Sequence, residues 1–259
     1  MRPWGDGFPG WHIECSAMSL KHLGERFDVH TGGIDLKFPH HEDEIAQSEG
    51  ALGHRVVSIW MHGEFLTMAD AKMAKSTGNV IRVADLPGMG YEPIAFRYLA
   101  LTAHYRSKLD FTEAAMHAAA SGLGRLRRAV ATAPDQQVNL SAEAMASYRA
   151  RFTDAITDDL GTPRALAVAH DAASAADLTD GQRRALLLDF DRVLGLSLDA
   201  PVAAGPPLPE GAAELLERRA AARAARERSA SDALRDELAE MGVDVRDTAS
   251  GQETTVRRP

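Results

Sequence analysis

Apolar side chains first recur at helical spacing, at Ile13, Ala17, Leu20 and Leu23, and Gly24 follows as a stop. The pattern then shortens. Phe27-Asp-Val-His30 reads as a strand running into Thr31-Gly-Gly33, and Val56 to Met61 as a second, buried strand. Between them Pro39 suits a first helical turn, which predicts a helix through Glu44, Ile45 and Ser48 to about Leu52. Helix–strand–helix–strand order implies right-handed crossovers and a parallel sheet, here part of a doubly wound one. Residues 63–90 follow neither period. From Pro93 onward the pattern is helical: Ile94, Phe96, Leu99 and Leu101, an Ala-rich run over 113–133, then Phe152, Ile156 and Leu160, Ala165 to Ala176, and Leu186 to Leu196. Pro134 to Val138 and the Pro-rich Pro201 to Pro209 read as linkers. Residues 210–241 read as a long helix or a helical pair with Ser231-Asp232 as the cap between halves, and Gly251 to Pro259 as a frayed tail.

Composition narrows the class. The 259 residues suit two or three small domains, with ordinary globular proportions of hydrophobic and charged residues. Met1 to Gly10 carries no apolar run, so no signal peptide is expected, and no stretch is apolar enough to span a bilayer. A single cysteine rules out an internal disulfide and fits a reducing cytoplasm. A net charge of -8 argues against a general nucleic-acid binder but permits a local basic face.

Three groups of residues carry candidate chemistry. Cys15, His40 and Glu44 are ligand types that zinc accepts, and His40 and Glu44, four apart, share one helical face. Three ligands leave open whether such a site is catalytic, with a position for substrate, or structural and short of a ligand. Gly32-Gly33 after a strand lets a ligand approach the backbone, with Asp35 able to accept from ribose hydroxyls; a plain glycine turn explains the same residues. Lys72-Met-Ala-Lys-Ser76 brings two ammonium groups that could neutralise a Mg²⁺-bound triphosphate, or simply a solvated basic loop.

Taken together, Gly10-Trp-His-Ile-Glu-Cys-Ser-Ala-Met18, His30-Thr-Gly-Gly-Ile-Asp35, Phe38-Pro-His-His-Glu-Asp-Glu44 and Lys72-Met-Ala-Lys-Ser76 resemble the cysteinyl-tRNA synthetases, class I aminoacyl-tRNA synthetases. Ala103-His-Tyr-Arg106, Asp158-Asp-Leu-Gly-Thr-Pro163, Phe190 to Gly195 and Ser231 to Leu238 extend the likeness over nearly the whole chain. The resemblance implies ATP-dependent ligation of cysteine to tRNA(Cys) through cysteinyl-adenylate. It makes Cys15, His40 and Glu44 ligands of a Zn²⁺ that selects the thiolate, and lines the cysteine pocket with Trp11. His30, Gly32, Gly33, Asp35 and Lys75 would bind ATP, and Lys72 and Lys75 would be catalytic. It implies a cytoplasmic monomer away from membranes. The fold implied is a partial α/β Rossmann-like nucleotide-binding half, then an all-α helical bundle and a small C-terminal helical region. The segments are 1–66 with the zinc site, 67–110 with the lysine loop and stem contacts, 111–200 as the bundle on the anticodon-stem side, a 201–209 linker, and a 210–259 anticodon-binding region.

Two departures matter. Ala74 stands where the family's loop has Ser, with both lysines kept. No His-Ile-Gly-His segment occurs, and the family's further zinc-ligating Cys has no counterpart, since Cys15 is the only cysteine. The expectation is a chain matching the family's C-terminal part, with an incomplete zinc shell, inactive alone and able to work with a separate N-terminal half. The rivals are the cysteine ligase of mycothiol synthesis, disfavoured by Glu44 and the long helical part, and a non-catalytic tRNA-binding remnant. Arg218, Arg219 and Arg223 read either as a solvated face balanced by Glu214 and Glu217 or, by the resemblance, as tRNA contacts.

Overall fold

The computed structural model describes residues 10–68, 71–72, 81–132, 143–201, 208–248 and 251–256. The chain divides into two compact units, 1–201 and 202–259.

The first unit opens with α1 (Trp11–Leu23), which ends at Gly24 with φ +90°, a conformation glycine adopts without a Cβ clash. Strand β1 (Phe27–Gly33) pairs in parallel with β2 (Val57–Gly63), setting Val29 beside Ile59, His30 beside Trp60 and Gly33 beside Gly63. Both strands run further toward their carboxyl ends than the apolar pattern predicts, because polar site residues occupy those ends. The crossover holds a tight turn over Ile34–Leu36, a wide turn over Lys37–His41, and α2 (Glu42–Leu52), closed by left-handed Gly53. Pro39 does stand in the first helical turn: Phe38 before it is extended (φ -140°, ψ 134°), and from Pro39 the helical backbone runs through His41 (φ -70°, ψ -32°) into α2, its first turn wider than an α-helix.

The irregular middle contains three short strands. β3 (Leu66–Met68) pairs antiparallel with β4 (Ala71–Lys72) and parallel with β5 (Leu109–Asp110). Between them lies α3 (Pro93–Leu101), with Pro93 in its first turn. The bundle follows as α4 (Glu113–Ala131), α5 (Glu143–Thr157), α6 (Thr162–Ser174) and α7 (Asp180–Leu194). Thr112 caps α4, and Thr179 with Gln182 forms a reciprocal cap on α7. The core gathers Met116, Leu126, Met145, Leu186, Leu187 and Leu194, all fully buried, around stacked Phe152 and Phe190 rings 4.1 Å apart. Each such side chain contributes roughly 1.5–3 kcal/mol through apolar burial. Pro134 to Val138 lies outside the described residues.

Two polar junctions tie this unit together. Tyr98 on α3 bonds His170 on α6 at 2.7 Å, and a Cβ on Gly122 of α4 would lie 2.5 Å from the Tyr98 oxygen. Leu160 is not helical. It and Asp159 adopt left-handed backbone (φ 54° and 50°), and Asp159 accepts hydrogen bonds from Tyr105 at 2.6 Å and from Arg106 at 2.8 Å. The Tyr105 carbonyl in turn accepts from the Glu64 backbone N–H at 2.7 Å, so the end of β2 is fastened to the α5–α6 turn.

The second unit is a helical pair, α8 (Ala212–Ala224) and α9 (Arg228–Glu240), followed by an antiparallel hairpin of β6 (Val243–Thr248) and β7 (Gly251–Val256). The helices part at 225–227, where Arg226 has φ 62°, and Ser231 lies buried within α9, not at a cap. The paired strand β7 replaces the frayed tail expected over its residues. Ala212, Leu216, Leu238, Val243 and Val245 make the small core. Among the described residues no helix is long and apolar enough to cross a membrane.

Candidate functional site

The carboxyl end of the β1–β2 sheet collects histidines. β1 contributes His30; β2 contributes Trp60 and His62 from one face by strand alternation; the wide turn contributes His40 and His41; α1 contributes Trp11, His12 and Cys15; α2 contributes Glu44. His40 and Glu44 are each only 4% exposed.

One ligand atom each of Cys15, His40 and Glu44 lies within 4.8 Å of the other two. His40 Nε2 stands 2.8 Å from Glu44 Oε1, yet out of line for a hydrogen bond, and Oε1 is enclosed without any hydrogen-bond partner. A desolvated carboxylate oxygen without a partner costs free energy unless something else meets it. Burial pushes the Glu44 carboxyl up to about 6. Burial also raises the Cys15 thiol, helped by Glu44 and Glu14, while a hydrogen bond from Trp11 pulls it the other way. His40 is held below the usual imidazole range by burial and then by His12. In all three the largest cause is burial, which favours the neutral form of each group.

Behind His40 runs a short relay. Its Nδ1 lies 2.6 Å from His12 Nδ1, and His12 Nε2 lies 3.4 Å from Asp43 Oδ2. With the shared proton on His40 Nδ1, Nε2 turns a lone pair toward Cys15 and Glu44. The Trp11 ring covers His40 with centroids 4.0 Å apart.

A second cluster shares Glu44. His30 Nε2 is 3.5 Å from Glu44 Oε2, and one ligand atom each of His30, His41 and Glu44 also lies within 4.8 Å of the others. His41 bonds His62 at 2.8 Å and packs against Trp60. Burial, then His30, His62 and His40, hold the His41 imidazole down at about 4, so it is neutral at physiological pH. Gly32 makes this possible, because a Cβ there would meet the His41 ring at 2.7 Å. A Cβ on Gly33 would strike Asp35 Oδ1 at 2.5 Å.

Two family models match the chain: the class I (C) tRNA synthetase catalytic domain over residues 1–121 and the cysteinyl-tRNA ligase anticodon-binding domain over 205–257. The chain belongs to the cysteine–tRNA ligase family. It is 45% identical over 251 residues to cysteine–tRNA ligase 1 of Burkholderia lata, covering 96% of this chain and 52% of that protein. It is 42% identical over 273 residues to the cysteine–tRNA ligase of Nitrosomonas eutropha, covering 99% and 58%. The chain thus spans about half the length of the curated relatives it matches. A crystal structure of an Agrobacterium radiobacter LeuRS–tRNA–LeuAMS complex shares the fold with a TM-score of 0.50, at 18% identity, covering 65% of this chain and 26% of that one.

Within this cysteine–tRNA ligase family member, the expected residues fall into three groups. Cys15, His40, Glu44 and Trp11 come together at one site, with His30, Gly32, Gly33 and Asp35 beside it at the sheet end. Lys72 sits on β4, its backbone paired with Thr67, and Lys75 lies outside the described residues. On α8, Arg218 is exposed but Arg219 is 1% exposed and bound to Asp247 and Gln252, while Arg223 pairs with Asp247. Arg219 is therefore engaged inside its own unit, with its guanidinium turned to Asp247 and Gln252 and not to solvent. Residues not singled out from the sequence are His12, Asp43, His41, Trp60 and His62. The alternation of His30 with Gly32, and of Trp60 with His62, was the available signal for one shared sheet face.

Proposed function

We propose that this chain provides the cysteine-selecting part of ATP-dependent ligation of cysteine to tRNA(Cys), with a zinc ion held by Cys15, His40 and Glu44. The observation that carries the reading is the buried, unbonded Glu44 Oε1 converging with His40 Nε2 and Cys15 Sγ, a donor set suited to zinc. Zinc, when bound there, supplies a Lewis acid that prefers a thiolate to a hydroxyl, which is the distinction between cysteine and serine. His12 and Asp43 keep the His40 proton at Nδ1, and Trp11 shields the imidazole from water. Neutral His41, together with His30, the glycine pair and Asp35, forms the surface for adenosine at the carboxyl end of the sheet. Lys72 and Lys75 neutralise the Mg²⁺-bound triphosphate. The match of residues 205–257 to an anticodon-binding model supports tRNA as the acceptor.

No His-Ile-Gly-His segment occurs in these residues, so we expect the 259 residues alone not to form the adenylate. The test is metal analysis after zinc loading and dialysis, with cysteine-dependent pyrophosphate exchange run in parallel. One zinc per chain, lost in Glu44→Gln and Cys15→Ser, supports the site; a metal-free wild type refutes it. Exchange by the chain alone would overturn the expected dependence on further residues.

A further inference from the structure

The two carboxylate oxygens of Glu44 face different partners. Oε1 converges with Cys15 and His40. Oε2 is turned to His30, whose Nε2 lies 3.5 Å away. That is longer than a charge-assisted hydrogen bond of about 2.7–2.9 Å. It matches two donors sharing one tetrahedral ion, which sit about 3.3–3.5 Å apart when each is about 2.0–2.2 Å from the metal. One ligand atom each of His30, His41 and Glu44 lies within 4.8 Å of the other two, the same span that gathers Cys15, His40 and Glu44.

This second set is built as a metal site is built. His41 is buried, and its Nδ1 is committed to His62 Nε2 at 2.8 Å. With the proton of that bond on His41 Nδ1, Nε2 keeps an in-plane lone pair for an ion, and His62 orients the ring as the outer partner of a metal-bound imidazole does. A Cβ on Gly32 would lie 3.0 Å from that Nε2, so glycine at 32 keeps it uncovered. The His30 and His41 rings stand at 87° to each other, and both pack on Trp60, with centroids 4.7 and 4.8 Å away. Two imidazoles and a carboxylate suit Zn²⁺, Co²⁺ or Ni²⁺, and not Mg²⁺, which prefers oxygen donors.

We infer that the Glu44 carboxylate bridges two divalent transition-metal ions, the first held with Cys15 and His40 through Oε1, the second with His30 and His41 through Oε2. The second ion binds more weakly, because it has no thiolate, shares one carboxylate and is repelled by the first. It is therefore lost on dialysis and regained at higher metal concentration. It uses lone pairs in the planes of the two rings, so a nucleotide can still meet the glycine backbone beside them. The inference rests on the Cys15–His40–Glu44 reading for the first ion and goes beyond it for the second.

The probe is Co²⁺, titrated into the metal-free 259-residue chain and followed by absorption spectroscopy. The first equivalent should bring a sulfur-to-metal charge-transfer band from Cys15. A second equivalent should add ligand-field absorption without further charge transfer. His30→Asn and His41→Asn should each weaken the second step at least about tenfold and keep the sulfur band, and His62→Ala should weaken it by about 10–100-fold. His54→Asn, at the surface pair with Glu25, should change neither step. X-ray absorption of the wild type with two equivalents should show a metal–metal vector of about 3.5–4 Å. That measurement needs no variant, so it decides even where a histidine variant fails to fold. A titration that ends at one equivalent, a second step untouched by His30→Asn and His41→Asn, or no metal–metal vector overturns the inference. The two readings fail visibly apart: a sulfur band without a second step sinks the bridge and leaves the zinc site standing, whereas a histidine-dependent step without any sulfur band sinks the zinc site and the bridge with it.

Discussion

Replacing Arg219 should destabilise the second unit without removing a nucleic-acid contact. The guanidinium is 1% exposed and forks onto the Asp247 carboxylate at 2.8 and 3.0 Å, with a further bond to Gln252 Oε1 at 2.8 Å. Gln252 in turn donates to the Leu216 carbonyl at 2.7 Å, so the one side chain links α8 to both strands of the hairpin. Hydrogen bonds to charged groups contribute about 1.5–3 kcal/mol each, and the half-exposed Asp247 takes some of that back because water can solvate it after the change. The net loss for Arg219→Ala is then about 2–4 kcal/mol, including the lost packing of the aliphatic stem. For a unit this small, each kcal/mol moves Tm by about 4–8 °C, so a drop of at least about 10 °C is expected. Circular dichroism and calorimetry on the full chain would follow the transition of residues 202–259, with Arg218→Ala as an exposed control that leaves it unmoved. An Arg219→Ala transition within about 2 °C of wild type would refute the reasoning, and a tRNA-binding loss without any loss of stability would restore Arg219 as a contact residue.

Other consequences are equally direct. Gly32→Ala should displace the His41 ring from 2.7 Å and break its bond to His62, altering the His41 and His62 imidazole resonances in NMR spectra; unchanged shifts would show that the ring has room. His12→Ala should lower zinc affinity by about 10–100-fold by freeing the His40 tautomer, measured by chelator competition, and an unchanged affinity would dismiss the relay. Acid should loosen the second unit through Asp247, whose carboxyl is held below its ordinary 3.8 by the Arg219 hydrogen bond. Its contribution is complete above that value and disappears as pH falls through the lower folded-state range, so Asp247→Asn should flatten the loss of stability at acid pH.

Much of the first unit was legible because its signals are local. The helical spacing of Ile13 to Leu23 and the stop at Gly24 produced α1 as expected, and strand–helix–strand order produced the parallel pair. The helix start at Pro39 after extended Phe38 was legible, but the wider hydrogen bonding of that first turn was not, since proline marks where a helix begins and not how tightly it winds. Strands of two or three residues, such as β3 and β5, have no period to read; pairing across some forty residues defines them. The hairpin of the second unit was misread because β7 is polar, although Val243 and Val245 do alternate into the core. Arg219 was grouped with its neighbours by charge. Its spacing from Ala212, Leu216 and Ala222 places it on the buried stripe, and that was the stronger signal. His40, Glu44, Cys15 and His30 were singled out from the sequence; His12, His41 and His62 escaped notice because they come from three separate elements, which only the folded sheet brings together with them.

The junction of Tyr98, Gly122 and His170 carries a consequence for heredity. A methyl at position 122 intrudes on the Tyr98 hydroxyl, and a smaller residue at 98 leaves His170 without its bond. No one of the three can change alone without harming another. Variants of this chain should therefore inherit these positions as a set, drifting only when all three, on three different helices, drift together.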